Sequence, residues 1–402
     1  MKVLYWLGIG FDRHGPSVHL LKAIIAETLK KGNEVIMIVR NTGGKDPDVP
    51  IELQMFDNLH CEVVNDRLQE KGKLAQRYFE DIFYFFRCRK ILQRHKDVDI
   101  VFLQSCTAPI FPLWIAHKAL KKPVLFNVQN IFPIDALVLG KLTNYGVKGV
   151  AFRVFRWMQQ VAYRKADWLV TISGDMKATL VKETALPDKI DVVYNWSYDD
   201  QENNIADEDN LFLLDHPEMM DKFRVVFAGN LGAMVNAKMI ADVAVLLKDQ
   251  KQIQFVIIGD GNNMHYLKSR AEEAQLDNMS FYPYQPEEYA RHNYVMADIN
   301  INALPAGIID TCMPSKTATM LNSARPMVVS VEKNSVYASI LNQVDKCIVV
   351  DVDDVKGFAE GIMQLYHQGA RQKSNNARMV FEKYCSCNNA KEYVRIMEHM
   401  LE

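Results

Sequence analysis

Residues Phe223 to Leu247 read FRVVFAGNLGAMVNAKMIADVAVLL. The β-branched and aromatic run Val225–Ala228 has the length and character of a buried strand. It passes directly into Gly229-Asn230-Leu231-Gly232, beyond which Ile240, Val243, Ala244 and Leu247 recur at the spacing of one helical face. A strand, a glycine turn and a helix are the parts of an anion site. Glycine lets backbone approach a ligand, and the helix start offers free N–H groups and partial positive charge. The same parts also make a plain strand-to-helix turn, so the neighbouring sequence has to decide.

That unit recurs along the chain. The sequence predicts strands at 3–7, 35–39, 61–64, 100–103, 124–128, 169–172 and 190–194, with helices between them, including 18–30, 74–96, 110–120, 147–165 and 176–183. After an acidic stretch without sustained period at 198–221, it predicts strands at 225–228, 255–258, 280–282, 299–303, 327–331 and 347–350. Helices again fill the gaps, and two more, near 375–384 and 389–401, close the chain. Alternation of this kind is the mark of parallel sheets covered on both faces. Length supports the division: 402 residues exceed one typical core. The expectation is an α/β protein of two doubly wound Rossmann-like domains facing across a cleft. The domains are expected at 1–200 and 222–385, joined by a linker at 201–221, with 386–402 as a final helix.

Composition narrows the function. Lys plus Arg number 47 against 49 Asp plus Glu, a net charge of −2, which argues against bulk nucleic-acid binding. The seven cysteines are odd in number and form no CxxC pair, as expected of reduced cytoplasmic thiols. The amino-terminal run reads as a first strand rather than a signal peptide. No stretch approaches the roughly 18 apolar residues of a membrane span. The protein is therefore expected to be cytoplasmic, or peripheral on the inner face of the plasma membrane. The segments 74–96 and 147–165 mix aromatic and basic residues in a way that suits an anionic lipid surface, and equally suits ordinary amphipathic helices.

Ligands of open parallel sheets bind at the carboxyl ends of the strands, and four loops there carry candidate chemistry. Gly8–Ser17, with Gly10 and Ser17, suits close approach to a sugar or phosphate. Gln129 and Asn130, after the strand 124–128, present amides to a polar ligand or cap local backbone. Gly259-Asp260-Gly261 supplies a tight turn with a carboxylate. Pro314-Ser315-Lys316 opens a helix, where Ser315 is positioned to cap and Lys316 to face an anion. The pairs Asp97/Asp99 and Asp351/Asp353 resemble metal-binding DxD motifs but flank strands, where acidic residues serve as turn formers. No His cluster has metal-ligand spacing, and no complete Rossmann or Walker fingerprint occurs.

Taken in order, Ala166–Ser173 (ADWLVTIS), Val192–Trp196 (VVYNW), Phe227–Gly232 (FAGNLG), Ile257–Gly261 (IIGDG), Ala297–Ile299, Pro314–Lys316 and Ala324–Pro326 resemble retaining glycosyltransferases of the GT-B fold, family 4. The likeness is strongest to bacterial capsule and O-antigen sugar transferases. It implies a nucleotide-sugar donor, expected to be a UDP-sugar, held by Gly229, Asn230, Gly232, Gly259, Asp260, Gly261, Pro314, Ser315, Lys316 and Thr319. It implies a saccharide or polyprenyl-linked acceptor near Gly10, Ser17 and Asn195, with no metal and no cofactor. The final helix is expected to cross back to the first domain. This chain departs from the family pattern in places. Gln129 and Asn130 stand at the positions of the usual catalytic His-Asp, and Cys312 and Thr319 at those of two glutamates. Arg and Lys are missing from the Gly229 loop. Two other readings are a GT-B-fold UDP-sugar 2-epimerase and a non-catalytic GT-B-like partner subunit.

Overall fold

The computed structural model describes residues 1–11, 18–41, 49–66, 74–197 and 204–402. Among these, thirteen strands form two parallel sheets. The first contains β1 (Lys2–Trp6), β2 (Glu34–Asn41), β3 (Leu59–Asn65), β4 (Ile100–Gln104), β5 (Val124–Val128), β6 (Trp168–Thr171) and β7 (Ile190–Val192), in the order β3-β2-β1-β4-β5-β6-β7. The second contains β8 (Phe223–Ala228), β9 (Ile253–Ile258), β10 (Met279–Tyr282), β11 (Ile299–Ala303), β12 (Met327–Ser330) and β13 (Cys347–Val350), in the order β10-β9-β8-β11-β12-β13. All thirteen expected strands are present.

The chain divides into two compact units, Met1–Asn195 together with Cys387–Glu402, and Trp196–Ser386. In the first, the helix Val18–Lys30 buries Leu20, Leu21, Ile24, Ile25 and Leu29 as one face and ends at Gly32, whose φ of +78° favours glycine. The final helix, Asn389–His399, belongs to this unit. Its Tyr393 ring lies 6.0 Å from that of Phe102, and its hydroxyl donates to Asn127 Oδ1 at 3.0 Å. Asn389 Nδ2 donates to the Tyr194 carbonyl at 2.9 Å.

In the second unit β8 is buried throughout, and its residues alternate between two cores. Phe223, Val225 and Phe227 join one cluster, and Val226 and Ala228 the other. This two-sided burial is why the strand reads as a continuous apolar run. At the crossing point, the Ser197 amide donates to the Cys385 carbonyl at 3.3 Å, so the two ends of this unit meet one residue inside its limits.

Two expectations are corrected. The helix expected over 74–96 divides into Leu74–Arg87 and Arg89–Arg94, because buried Cys88 sits at a turn between them. The acidic stretch is no simple linker: from Asn204 onward it packs into the second unit. Phe212, Leu213 and Met219 cover Val226, Ala228, Val256 and Ile258. Asn210 caps the short helix Leu211–Asp215. Asp207 accepts from the fully buried Arg224 at 2.8 Å and from Arg371 at 2.9 Å. Burial raises the Asp207 carboxyl, but the two guanidiniums outweigh it and hold the group below the usual carboxylate range. The apolar run LFLL is too short to show a period, which is why the sequence reads as a connection. Residues 198–203 lie outside the described residues.

Candidate functional site

Each sheet reverses its strand order once, between β1 and β4 and between β8 and β11. Ligands of doubly wound sheets bind at such switch points. In the second unit the switch point is made by the loops after β8 and β11.

The loop after β8 turns at Gly229, whose φ is +125°. It is held from beneath by the Gly259–Gly261 loop after β9: Gly229 N donates to Ile258 O and Leu231 N to Asp260 O, each at 2.9 Å. A Cβ at Gly259 would lie 2.0 Å from the Gly229 carbonyl oxygen, and one at Gly261 would lie 2.6 Å from the Leu231 carbonyl. These two glycines therefore serve loop-on-loop packing. Asp260 is exposed and turns its carboxylate back onto the Gly261 amide at 2.7 Å. Asn230 is also exposed, and its side chain lies over Gly232.

The helix does not begin at Gly232. It begins at Ala237, capped by Asn236, whose Oδ1 accepts from Met239 N at 3.1 Å. Asn263 Nδ2 ties down the intervening turn through the Gly232 and Val235 carbonyls. An open cleft of about 410 Å³ lies here, lined by Val235, Asn236, Asn263, Tyr266, Pro305 and Asp353 among others. Neither Gly229 nor Lys316 lines it, so the cleft and the Lys316 ammonium are separate features of one switch point.

Lys316 is the first residue of the helix Lys316–Asn322. Its stem is half-exposed, but its ammonium is shielded from solvent and has no hydrogen-bond partner. It lies 3.5 Å from the centre of the Phe227 ring, and a Cβ at Gly229 would be 3.7 Å from it. Burial lowers its pKa to about 7. Ser315 does not cap this helix: its side chain makes no capping bond and is exposed. Ser315 adopts helical angles, φ −62° and ψ −29°, whereas capping residues favour extended ones. Pro314 and Thr319 flank Lys316 in sequence, and among the described residues no bond joins Pro314, Ser315 or Thr319 to the glycine loops.

In the first unit the expected residues form an amide chain at the carboxyl ends of the strands. Asn195 Nδ2 donates to Gln129 Oε1 at 3.0 Å, Gln129 Nε2 to Asn127 Oδ1 at 3.1 Å, and Asn127 Nδ2 to Gln104 Oε1 at 2.8 Å. Asn195 Oδ1 is buried without a partner. Asn130 stands apart from this chain: it accepts from Ser105 Oγ at 3.2 Å and donates to Asp135 Oδ2 at 2.9 Å. Burial raises the Asp135 carboxyl, although bonds from Asn130 and the Ala136 amide pull it down. Gly10 is buried, and Ser17 lies outside the described residues.

Asp135, Asn236 and Glu332 are not among the residues expected from sequence, whereas Asn263 ends the candidate loop that begins at Gly259. Glu332 accepts from the Gly307 amide at 2.5 Å, and its other oxygen is buried without a partner. Two of these three were legible. Asn236 precedes a helical period as caps do, and Asp135 falls in the first turn after Pro133. Of the acidic pairs set aside, Asp99 accepts from the Lys2 amide and Asp97 from the Lys2 ammonium, each at 2.7 Å.

Two family models match the chain: Glycosyltransferase Family 4 over residues 18–197, and Glycosyl transferases group 1 over residues 222–368. The Escherichia coli protein WcaI, described as a colanic acid biosynthesis glycosyl transferase, is 23% identical over 242 residues. That match spans 60% of this chain but only 59% of WcaI. Anabaena HepE, crystallised with UDP and glucose, superposes with a TM-score of 0.70 at 12% identity, covering 99% of both chains. Sucrose-phosphate synthase of Thermosynechococcus elongatus gives a TM-score of 0.72 at 14% identity, over 99% of this chain and 98% of that one. With one family model over each unit and the two-sheet architecture shared with these structures, the chain belongs to the family 4 glycosyltransferases of the GT-B fold.

Proposed function

We propose that the protein transfers a sugar from a nucleotide diphosphate donor, a UDP-sugar, to a saccharide or lipid-linked saccharide in bacterial capsule, O-antigen or exopolysaccharide synthesis. The observation that carries this reading is the shielded, unpartnered ammonium of Lys316 beside Gly229. A cation buried without a counter-charge is costly unless an anion completes the site. The Gly229 loop and Lys316 would neutralise the leaving diphosphate without a metal, since preorganised positive groups stabilise charge as it develops. Transfer proceeds with retention at the anomeric carbon. The acceptor binds in the first unit, where Gln129 and Asn195 present amides, and Asn130, backed by Asp135, presents another. Likeness to WcaI supports the polysaccharide role, and the fold shared with UDP-binding HepE supports the donor class.

The acceptor's lipid is supported by two outward stripes. On the helix Gly146–Lys165, Val147, Val150, Val154 and Trp157 are exposed at helical spacing, and on Leu74–Arg87, Phe79, Phe83 and Phe86 are exposed likewise. The two helices touch through Tyr78 and Phe155, whose rings are 4.9 Å apart. Exposed Arg87, Arg89, Lys148, Arg153 and Arg156 accompany the stripes, so the face suits a peripheral position on an anionic membrane.

The reading is tested by thermal shift with a panel of nucleoside diphosphates and their sugars. A ligand at 100 times its dissociation constant adds about 2.7 kcal/mol of stability. UDP or a UDP-sugar is expected to raise the melting temperature. If no nucleotide does, the transferase reading fails. Product analysis with UDP-GlcNAc alone separates transfer from epimerisation.

A further inference from the structure

The edge strand β3 carries a cluster at the end opposite the ligand-binding loops. His60 and Glu62, two residues apart, project from one face of the strand. His95 reaches them from the end of the helix Arg89–Arg94. His95 Nε2 lies 2.8 Å and His60 Nε2 3.5 Å from the same oxygen, Glu62 Oε1. Arg94 takes the other oxygen, Oε2, at 2.8 Å. The three donor atoms fall within 4.8 Å of one another.

We propose that His60, Glu62 and His95 bind a divalent transition-metal ion, Zn²⁺ foremost, with a fourth position open to water. Two imidazoles and a carboxylate are ligands that Zn²⁺ accepts. Bonds of 2.0–2.1 Å in tetrahedral geometry set ligand atoms about 3.3 Å apart, so only small side-chain movements are needed. His60 is exposed and free to make its share of them. Arg94 fixes the carboxylate with one oxygen toward the ion, the role outer partners play at metal sites. Sequence spacing conceals the site, because the fold alone brings His95 beside β3. The ion would staple the edge of the first sheet to the helix end, remote from the switch point and independent of the transfer reaction.

Zn²⁺ titrated into the full chain by calorimetry in a reducing buffer tests this, with Co²⁺ absorption as the second readout. One ion per chain is expected at micromolar concentration, with a Co²⁺ spectrum lacking a thiolate charge-transfer band. His60→Ala and His95→Ala should each weaken binding by about 10–100-fold, at least the loss seen when outer partners are removed. His60 is on the surface, so its variant keeps the test valid if His95→Ala folds poorly. Binding equal in wild type and His60→Ala, a thiolate band, or no binding at millimolar Zn²⁺ would each overturn the proposal.

Discussion

The Lys316 ammonium sits 3.5 Å from the centre of the ring of Phe227, which lies at the end of β8 two residues before Gly229. The ring face supplies some attraction to a cation, but no oxygen supplies a hydrogen bond. Lys316→Ala should therefore weaken UDP binding by about 10–100-fold, the range of a charge-assisted hydrogen bond. Asn230→Ala, at an exposed position, should change it by no more than a few-fold. Calorimetry giving the reverse order would sink the assignment.

The same amine sets a pH dependence. Its pKa is about 7 in the folded chain against an ordinary 10.5, so between these values the unfolded chain binds the proton more readily. This group's contribution then makes stability rise with pH across that window. A bound diphosphate restores the proton, so UDP affinity should fall between about pH 7 and pH 9. Lys316→Met should raise the melting temperature of the ligand-free protein at pH 7 and flatten both trends. Parallel melting and binding curves against pH check the sign.

Glycine at 259 is demanded by backbone. Gly259→Ala places a Cβ 2.0 Å from the Gly229 carbonyl oxygen at a φ of +137°, and should cost about 3 kcal/mol or more in denaturant unfolding. Gly232→Ala has the movable Asn230 side chain as its nearest neighbour, at 3.3 Å, and should cost less than about 1 kcal/mol.

Asp207→Asn leaves Arg224 buried with one carboxylate fewer. Removing one partner of a buried pair costs about 3–5 kcal/mol; because Asp207 is partly exposed, about 2 kcal/mol is expected. The Asp207 carboxyl is held low in the folded chain, so its stabilisation is present above its unfolded pKa and lost as pH falls through the folded one. Urea unfolding of wild type and variant should differ by that amount at neutral pH and converge at acid pH.

Replacing Phe83 and Trp157 by Ser should abolish co-sedimentation with vesicles containing anionic lipid. It should leave the melting temperature within about 2 °C, since both side chains already face water. Equal co-sedimentation of wild type and variant would remove the membrane from the proposal.

The alternation of apolar strands and amphipathic helices made both sheets legible, since continuous burial on two faces leaves continuous apolar runs. Gly229 and Lys316 were legible because their chemistry is local to a strand end and a helix start. The contacts that decide the loops were not. Gly259 and Gly261 read as ligand glycines, and only the fold shows that they also pack beneath Gly229 and Leu231; Ser315 reads as a cap although its backbone is already helical. His60 and His95 meet only through tertiary packing, and Asp207 looks like solvated linker until Arg224 is found buried.

The bond between Ser197 and Cys385 means that the second unit begins and ends at one doorway. Residues 196–386 are a cassette, threaded between positions 195 and 387 of a unit whose two segments are bonded to each other close to that break, Asn389 to Tyr194. Such a module can be exchanged as a single block with that of a relative. The first unit would then keep its final helix and its polar strand ends, while the Gly229 loop and Lys316 are replaced together.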